Sequence, residues 1–391
     1  MKKILPWLMT GLLLALSLGQ LTRIGLLNQP VYIYLYDLIV GFSVIAFIWK
    51  RKQLDLHTKL TKAVGLFLGW TVISLVISIP FYSVNEHVIA VLYLLRLMMY
   101  FGFMVMLLCF DHKQQLVSTT AVRAFMILVV TGAWVQYLLY PNLGNLAYLG
   151  WDPHLYRMVG LFFDPPTAAS VFALIALYVY YAKAYQSKVK WILLAILTVM
   201  FILTVSRGAL LSAVVTITLV FARRVNWKYL IAGMITLFII WNLVPGKSLE
   251  SLNIFRTTTI RTRIEDYQKA IEIWQKSPIT GIGYNHITPE KNKYEETTEW
   301  LEPYNPSHAS ASFHSSFMVI LVTTGVVGLG LFIYMLWQLS TVHQYAQTSL
   351  IFLSLFSLFD NVLLLPLVMV VWVILTRALL SADKHKQTVS H

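Results

Sequence analysis

The sequence predicts an all-α protein, a polytopic membrane bundle of about 12 transmembrane helices with a large extracytoplasmic loop that contains an interfacial helix. Of its 391 residues, 58% are hydrophobic and 12% are charged. The charged share is about half the roughly 25% of a soluble domain. The mean hydropathy is +0.69. This composition excludes a water-soluble enzyme and an intrinsically disordered chain.

Apolar runs of near-spanning length recur along the chain, because crossing the hydrocarbon core takes about 20 residues. The predicted spans are 4–22, 31–49, 63–80, 89–110, 124–140, 164–182, 190–205, 208–222, 229–244, 314–338, 346–359 and 361–376.

The distribution of cations predicts the orientation of these spans. With both termini in the cytoplasm, 18 of the 30 Lys and Arg residues fall on the cytoplasmic side. The short loops on the other face carry only Arg23, Arg157 and Arg207. This agrees with the excess of cations found in cytoplasmic loops. The net charge of +13 therefore reflects membrane topology and does not predict nucleic-acid binding.

One long polar segment divides the chain into three predicted parts. Transmembrane helices occupy 1–244, an extracytoplasmic loop occupies 245–313, and further transmembrane helices with a cytoplasmic tail occupy 314–391. Pro245 and Gly246 end the preceding span, as a turn signal does. Loops this long inside a compact protein are usually functional.

Within the loop, 263–277 predicts an amphipathic helix that ends before Pro278. One face is predicted to carry Arg263, Tyr267, Ala270, Ile271 and Trp274. The other is predicted to carry Glu265, Asp266, Gln268, Lys269 and Glu272. Two placements fit this pattern equally. The helix lies along the membrane surface with Trp274 at headgroup depth, or it packs on the bundle as a lid.

Several arginines fall on the predicted outer side, where the topology rule disfavours cations. Guanidinium groups match phosphate oxygens bidentately, so a diphosphate at the outer leaflet is a natural ligand. The candidates are Arg157, Arg207, Arg261 and Arg263. For any one of them, snorkelling to lipid headgroups or pairing with Asp152, Asp164 or Asp266 is the competing interpretation.

His314 is a candidate general base at the start of a span, because a neutral imidazole can take a proton from an attacking hydroxyl. His286 and His308 compete for this role in the same loop. Asp360, between the last two predicted spans, could orient a histidine, pair with an arginine or cap a helical turn.

Several motifs are missing from the sequence. It has one cysteine, Cys109, and no Asp-x-Asp pair, P-loop or His-Glu-x-x-His helix. No metal or other cofactor is therefore predicted. Arg96 and Asp37 lie inside spans, where they are costly unless paired. Charged residues inside the membrane are typical of secondary transporters, so this pair favours a transporter as an alternative to an enzyme. No internal repeat in the sequence supports the transporter. A scaffold for an assembly complex, in which His314 has no catalytic role, is a third possibility.

These residues together resemble the O-antigen ligase/polymerase family of bacterial envelope proteins. The shared order is Arg207-Gly208, a large outer loop, a helix from Arg263 to Ser277-Pro278, Gly281-Ile282-Gly283, and His314 before Gly325 and Gly328. The similarity also covers 157–166 and Asp360. Many relatives have His-Asn where this chain has His314-Ser315, and an Asn near the position of Pro166.

The resemblance implies a metal-independent enzyme of the bacterial plasma membrane whose active site faces outward. Such an enzyme moves a glycan from an undecaprenyl-diphosphate carrier to a hydroxyl of a glycan or lipid acceptor. His314 is then the catalytic residue that helps to activate the acceptor, and Arg207 and Arg263 hold the diphosphate, with Arg157, Arg261 and Asp360 as further substrate-binding candidates. Inversion at the anomeric carbon is expected of a single displacement.

Overall fold

The computed structural model describes residues 4–25, 32–50, 54–55, 57–111, 114–149, 154–221, 257–295 and 312–389. The helices in these ranges are α1 (Ile4–Leu18), α2 (Leu35–Trp49), α3 (Lys59–Ile77), α4 (Val84–Cys109), α5 (Thr119–Leu139), α6 (Pro165–Tyr181), α7 (Ser187–Leu203), α8 (Arg207–Phe221), α9 (Thr257–Gln275), α10 (Ile287–Glu295), α11 (Ser316–Ser340), α12 (Gln344–Phe356) and α13 (Pro366–Val389). Strands β1 (Arg23–Gly25) and β2 (Tyr32–Tyr34) form a small antiparallel ribbon.

The helices agree with the predicted all-α membrane architecture. Eleven of the twelve predicted spans overlap a helix, and the span at 229–244 lies outside the described residues. Six of the described helices are long and apolar enough to cross a membrane, and α2, α6 and α8 are shorter apolar helices. The total of twelve spans stays a prediction.

Five of the thirteen helix starts follow from capping residues in the sequence. Thr58, Ser83, Ser118, Asp164 and Ser315 each precede a helix and accept a hydrogen bond from a backbone N–H of its first turn. Such side chains satisfy amide groups that have no partner within the helix. Two of these capping residues, Asp164 and Ser315, also lie at the candidate site described below.

Two charged residues inside the bundle are paired. The Arg96 Nη2 group lies 2.9 Å from Asp37 Oδ2, and Tyr100 donates a hydrogen bond to the same carboxylate. Arg377 is fully buried in α13 and donates to the carbonyls of Phe110, Asp111 and Gln114, just beyond the end of α4. Paired charges of this kind hold helices together in the interior of a bundle.

Helix α11 overlaps the span predicted at 314–338 and is apolar and long enough to cross a membrane, but it is bent, which the sequence did not predict. Gly325 has φ 68° and ψ −173°, which interrupts the helix. Phe317 and Phe332 are fifteen positions apart and would be separated by about 22 Å along a straight helix. Their ring centroids instead lie 6.1 Å apart. The two halves of α11 therefore fold toward each other at Gly325.

The segment 278–283 fills the break in α11. The amides of Ile282 and Gly283 donate to the carbonyls of Val322 and Thr323, at 3.0 and 3.1 Å. In return, the amide of Val326 donates to Pro278 at 2.9 Å. Backbone groups freed at the bend are thus satisfied by the loop that follows α9. This connection fixes the segment 278–283 against the bundle.

Candidate active site

The ends of several helices meet at the turn formed by residues 357–361, between α12 and α13. Ser315, the residue before α11, donates a hydrogen bond from Oγ to the carbonyl of Ser357 at 2.9 Å. Ser316 Oγ donates to Asn361 Oδ1 at 2.8 Å. The start of α8 reaches the same turn, because a Cβ added at Gly208 would lie 2.8 Å from Phe359 Cβ. Helix N-termini carry partial positive charge, so this arrangement suits an anion.

His314 is held at this turn by Asp266 of α9. Its Nδ1 lies 3.0 Å from Asp266 Oδ2, and its backbone amide donates to the same oxygen at 2.9 Å. The His314 side chain is 39% exposed, so the ring has an accessible face. A carboxylate at Nδ1 favours the tautomer with a proton there, which leaves a lone pair on Nε2.

Lys291 of α10 completes this arrangement from the other side of the carboxylate. Its Nζ donates to Asp266 Oδ1 at 2.9 Å and to the carbonyl of Ser312 at 2.7 Å. The Lys291 side chain is only 4% exposed. Burial alone would raise the pKa of Asp266, but hydrogen bonds from His314 and Lys291 lower it. Asp266 is therefore ionised at neutral pH.

Arg263, one turn before Asp266 on α9, reaches Asp360. Its Nη2 lies 3.1 Å from Asp360 Oδ2. The Nε of Arg263 is buried and has no hydrogen-bond partner in the described part of the chain. Burial raises the pKa of Asp360 to about 6, where Arg263 opposes the shift and Asp164 adds to it. The carboxylate of Asp164 and the ring of His314 are thus both within electrostatic range of Asp360.

Residues with left-handed backbone precede three of the polar residues around the site. Tyr156 (φ 52°) precedes Arg157, and Phe163 (φ 55°) precedes Asp164. Val205 (φ 56°) lies two residues before Arg207, and a β-branched residue is particularly unfavourable there. Strain of this kind collects at functional sites, where the surrounding fold enforces it.

The predicted site residues therefore fall into three groups. Arg263, Asp360 and His314 surround the turn at 357–361, and Arg207 begins the helix that contacts it. Arg157 lies at the edge, since the amide of the next residue, Met158, donates to Leu203 at 2.9 Å. Arg261 does not join them, because its side chain is 84% exposed and pairs with Glu265 at 2.8 Å.

The face predicted for α9 is wrong in two places. Asp266 was expected on the face away from the bundle, but it faces His314. Ile271 was expected on the packed face, yet it is 40% exposed, whereas Ile273 is fully buried. The stripe that faces the bundle contains the partly buried Arg263 and Asp266 and the fully buried Ala270 and Ile273, at spacings of three and four. Through Ala270 and Ile273 the helix packs against α11, and its predicted position at the membrane surface stays a prediction.

Asp266 and Lys291 were both missed by the sequence analysis. A carboxylate at i+3 from Arg263 could have signalled a shared face of the helix. Lys291 gave no such signal, because its partners are 25 and 21 positions away along the chain.

His286 is part of a separate buried cluster. Its ring stacks on Tyr82 with centroids 4.0 Å apart, and His87 contacts it edge-on. His286 is fully buried, and its Nε2 has no hydrogen-bond partner within the described residues. It therefore cannot act on a substrate in this arrangement. The third candidate histidine, His308, lies outside the described residues.

The described residues contain no candidate metal site. Within the described ranges, no three His, Cys, Asp or Glu side chains are grouped as a metal site requires. The predicted independence from metal nevertheless stays a prediction.

A helical bundle with apolar spans and a polar site at one end defines an integral membrane protein. Residues 192–333 match the family model of the O-antigen ligases, and this match supports the family that the sequence resembles. The matched segment includes Arg207, Arg263, Asp266 and His314, and Asp360 follows it. A comparison with curated proteins gave no match. The family implies glycan transfer of the O-antigen ligase/polymerase type, with a lipid-linked donor and an acceptor in a membrane.

Proposed function

We propose that this protein transfers a glycan from undecaprenyl diphosphate to a hydroxyl group of a glycan or lipid acceptor, at the outer face of the bacterial plasma membrane. The observation that carries the proposal is the His314–Asp266 hydrogen bond beside the Arg263–Asp360 pair. A base and a cationic anion-binding group thus lie at one turn, within or beside the segment that matches the O-antigen ligase family.

His314 acts as the general base in this proposal. With a proton on Nδ1 directed at Asp266, its Nε2 accepts the proton of the acceptor hydroxyl. Asp266 fixes the ring and stabilises the imidazolium that forms. Lys291, bonded to the other carboxylate oxygen, keeps Asp266 ionised and oriented.

The diphosphate of the donor is bound by Arg263 and Arg207. Arg263 contacts Asp360 through Nη2, and its Nε has no hydrogen-bond partner among the described residues, so its guanidinium group keeps donors for phosphate oxygens. The N-termini of α8 and α11 add positive potential at the same turn. Arg157 and Arg261 are peripheral to this arrangement, and their substrate contacts remain part of the proposal.

The reaction is a single displacement. The acceptor oxygen bonds to the anomeric carbon, and the bond from that carbon to the phosphate oxygen breaks. The electron pair leaves with undecaprenyl diphosphate, and the proton moves to His314. Configuration at the anomeric carbon is inverted. Positioning and arginine charge replace a metal ion in stabilising the leaving group.

The membrane topology belongs to the same proposal. Twelve spans in the parts 1–244 and 314–391 place both termini in the cytoplasm, and the loop 245–313 carries α9 and α10 outside. The charge distribution supports this orientation. No nucleic acid takes part.

The experiment is glycan transfer by purified protein from an undecaprenyl-diphosphate glycan with EDTA present. Wild type, His314→Ala and the control His343→Ala are compared. His343 bonds Asp383 at 3.2 Å, away from the site. We expect transfer by wild type and the control, and a loss of roughly 100-fold or more in His314→Ala. Full activity of His314→Ala would remove the base from the proposal, and loss of activity in EDTA would remove the metal independence.

A further inference from the structure

Asn361 ends the turn 357–361 and carries an amide side chain that the proposed reaction does not use. Its Oδ1 accepts a hydrogen bond from Ser316 Oγ at 2.8 Å, and its Nδ2 lies 3.5 Å from Ser312 Oγ. These two serines flank His314, each two positions away. Their Cα atoms therefore lie within about 7.6 Å of the His314 Cα. The Asn361 amide is thus held against the segment that carries the base.

The hydrogen bonds of Ser316 determine which way this amide faces. Ser316 is fully buried, and its Oγ accepts the backbone amide of Leu363 at 3.2 Å. The hydroxyl proton is then directed at Asn361 Oδ1, because the other acceptor in reach, Ser357 Oγ, is farther away at 3.4 Å. An amide whose oxygen faces Ser316 directs its NH2 group away from that serine. Asn361 therefore presents donors on the side of Ser312.

The NH2 group of Asn361 has more donors than the described part of the chain satisfies. A side-chain amide carries two N–H bonds. Among the described residues its sole partner is Ser312 Oγ, at 3.5 Å. That distance is long, since N–H···O hydrogen bonds usually measure about 2.7–3.2 Å. Asn361 is half-buried, and a donor withdrawn from water without a partner costs free energy. The group is therefore suited to an oxygen atom of a ligand.

The charge and the position of this group favour the acceptor over the diphosphate donor. An amide is neutral, whereas the anion is bound by Arg263 and Arg207 in the proposed function. A sugar acceptor carries neutral hydroxyl groups on neighbouring carbon atoms. When one of them lies at His314 Nε2, the next lies close beside it. An N–H group next to the base can then bind the second hydroxyl while the first one reacts.

We propose that Asn361 is an acceptor-binding residue, a role that rests on the proposed function because it takes His314 as the base. Its Nδ2 donates a hydrogen bond to a hydroxyl oxygen of the sugar acceptor, on the carbon next to the attacking hydroxyl. Ser316 is the positioning residue that keeps the NH2 group facing the acceptor. The contact holds the attacking oxygen at His314 and selects acceptors with two neighbouring hydroxyl groups.

The first test measures glycan transfer to short acceptors. Butyl glycosides of glucose, galactose and N-acetylglucosamine are compared, and the best of them is used further. The proteins are wild type, Asn361→Ala, Ser316→Ala and the control Gln347→Ala, whose exposed amide lies in the first turn of α12, at the opposite end of that helix. We expect Asn361→Ala to raise the KM of the acceptor roughly tenfold and to leave the KM of the donor unchanged. Ser316→Ala should give a smaller change in the same direction, and Gln347→Ala none.

Monodeoxy analogues of the acceptor separate binding from a structural role. One analogue lacks the hydroxyl that Nδ2 binds, so its KM with wild type should be raised roughly tenfold. Asn361→Ala should not distinguish this analogue from the complete acceptor, because the contact is already absent. An equal loss of transfer with every acceptor would indicate a structural role and would overturn the proposal. A change confined to the KM of the donor would place the amide at the diphosphate and would also overturn it.

Both replacements should leave the fold intact. Without the Asn361 amide, Ser316 keeps the Leu363 amide and Ser357 Oγ as partners. Without the Ser316 hydroxyl, the Leu363 amide keeps Ser357 Oγ at 3.2 Å. Thermal unfolding midpoints check this expectation. The comparison of the acceptor with its analogues on wild type does not depend on either variant.

A binding measurement without turnover separates this inference from the proposed reaction. Saturation-transfer NMR of the butyl glycoside is recorded with wild type and Asn361→Ala in lipid nanodiscs, without donor. We expect binding to be roughly tenfold weaker in the variant. If wild type transfers to no glycoside but this difference persists, the proposed reaction fails and the acceptor site stands. If transfer occurs and both proteins bind and use the glycoside equally, the proposed function stands and the role of Asn361 fails.

Discussion

Among single residues, Asp266 makes the most connections at the site. It accepts two hydrogen bonds from His314 and one from Lys291 while 12% of its side chain is exposed. A carboxylate in this position orients an imidazole and stabilises its protonated form. Replacing Asp266 should therefore change kcat more than KM.

Asp266→Asn should lower kcat by roughly 100-fold and change KM much less, because the amide loses the charge that stabilises protonated His314. The measurement is steady-state glycan transfer. Glu272→Gln, on the exposed face of the same helix, is the control and should retain full activity. A change confined to KM would show that Asp266 acts in substrate binding and not through His314.

His286 makes stability depend on pH. Burial, reinforced by His87, lowers its pKa to about 4, and backbone contact with Gly283 and the charges of Glu86 and Glu290 oppose the shift. The native protein then binds fewer protons than the unfolded chain between pH 4 and 6.5. This contribution to stability is complete above pH 6.5 and is lost as the pH falls to about 4.

The thermal unfolding midpoint in detergent should accordingly fall between pH 7 and pH 4. The loss from this residue amounts to at most about 3 kcal/mol. His286→Phe keeps a flat ring against Tyr82 and cannot titrate, so its unfolding should depend less steeply on pH over this interval. If both proteins show the same slope, the titration of His286 does not contribute.

At the level of elements, the segment 278–283 and the bend of α11 form one unit. Gly281 has φ +72°, and a Cβ there would lie 2.3 Å from the Thr323 carbonyl carbon. Gly325 has φ +68°, and a Cβ there would lie 2.1 Å from the Ile279 carbonyl oxygen. Each glycine therefore lets the backbone of the other segment approach closely.

Gly281→Ala should destabilise the protein by roughly 2 kcal/mol or more, because it combines backbone strain with a collision against backbone atoms. Gly330→Ala is the control: this glycine also lies in α11, but a Cβ there meets nothing within 4 Å. The readout is the unfolding midpoint and the yield of monodisperse protein. Equal stability of the two variants would contradict the account of the bend.

The sequence predicted the elements better than their shapes. Apolar runs and capping residues such as Ser83 and Ser315 locate helices because these signals are local. The bend at Gly325 cannot be predicted from an apolar run, since its cause is a loop more than forty residues earlier.

The site was likewise predicted only in part. The arginines and His314 could be selected by residue type and by their predicted side of the membrane. The partnership of Asp266 with Lys291 depends on how two helices pack.

At the level of the whole molecule, the orientation in the membrane can be tested with single cysteines. After Cys109→Ser, Arg261→Cys and Lys183→Cys place thiols at side chains that are 84% and 65% exposed. A membrane-impermeant maleimide added to spheroplasts should label position 261 only, and position 183 should react after permeabilisation. The reverse pattern would invert the proposed topology.

The helices around the turn 357–361 are short for a bilayer. Helices α6 and α12 have 17 and 13 residues, or about 26 and 20 Å of length. The hydrocarbon core is about 30 Å thick. When helices are shorter than the hydrocarbon core, the bilayer becomes thinner around them. Headgroups beside these helices are therefore drawn inward. Under the proposed function, the lipid-linked donor can then reach His314 without leaving the headgroup layer.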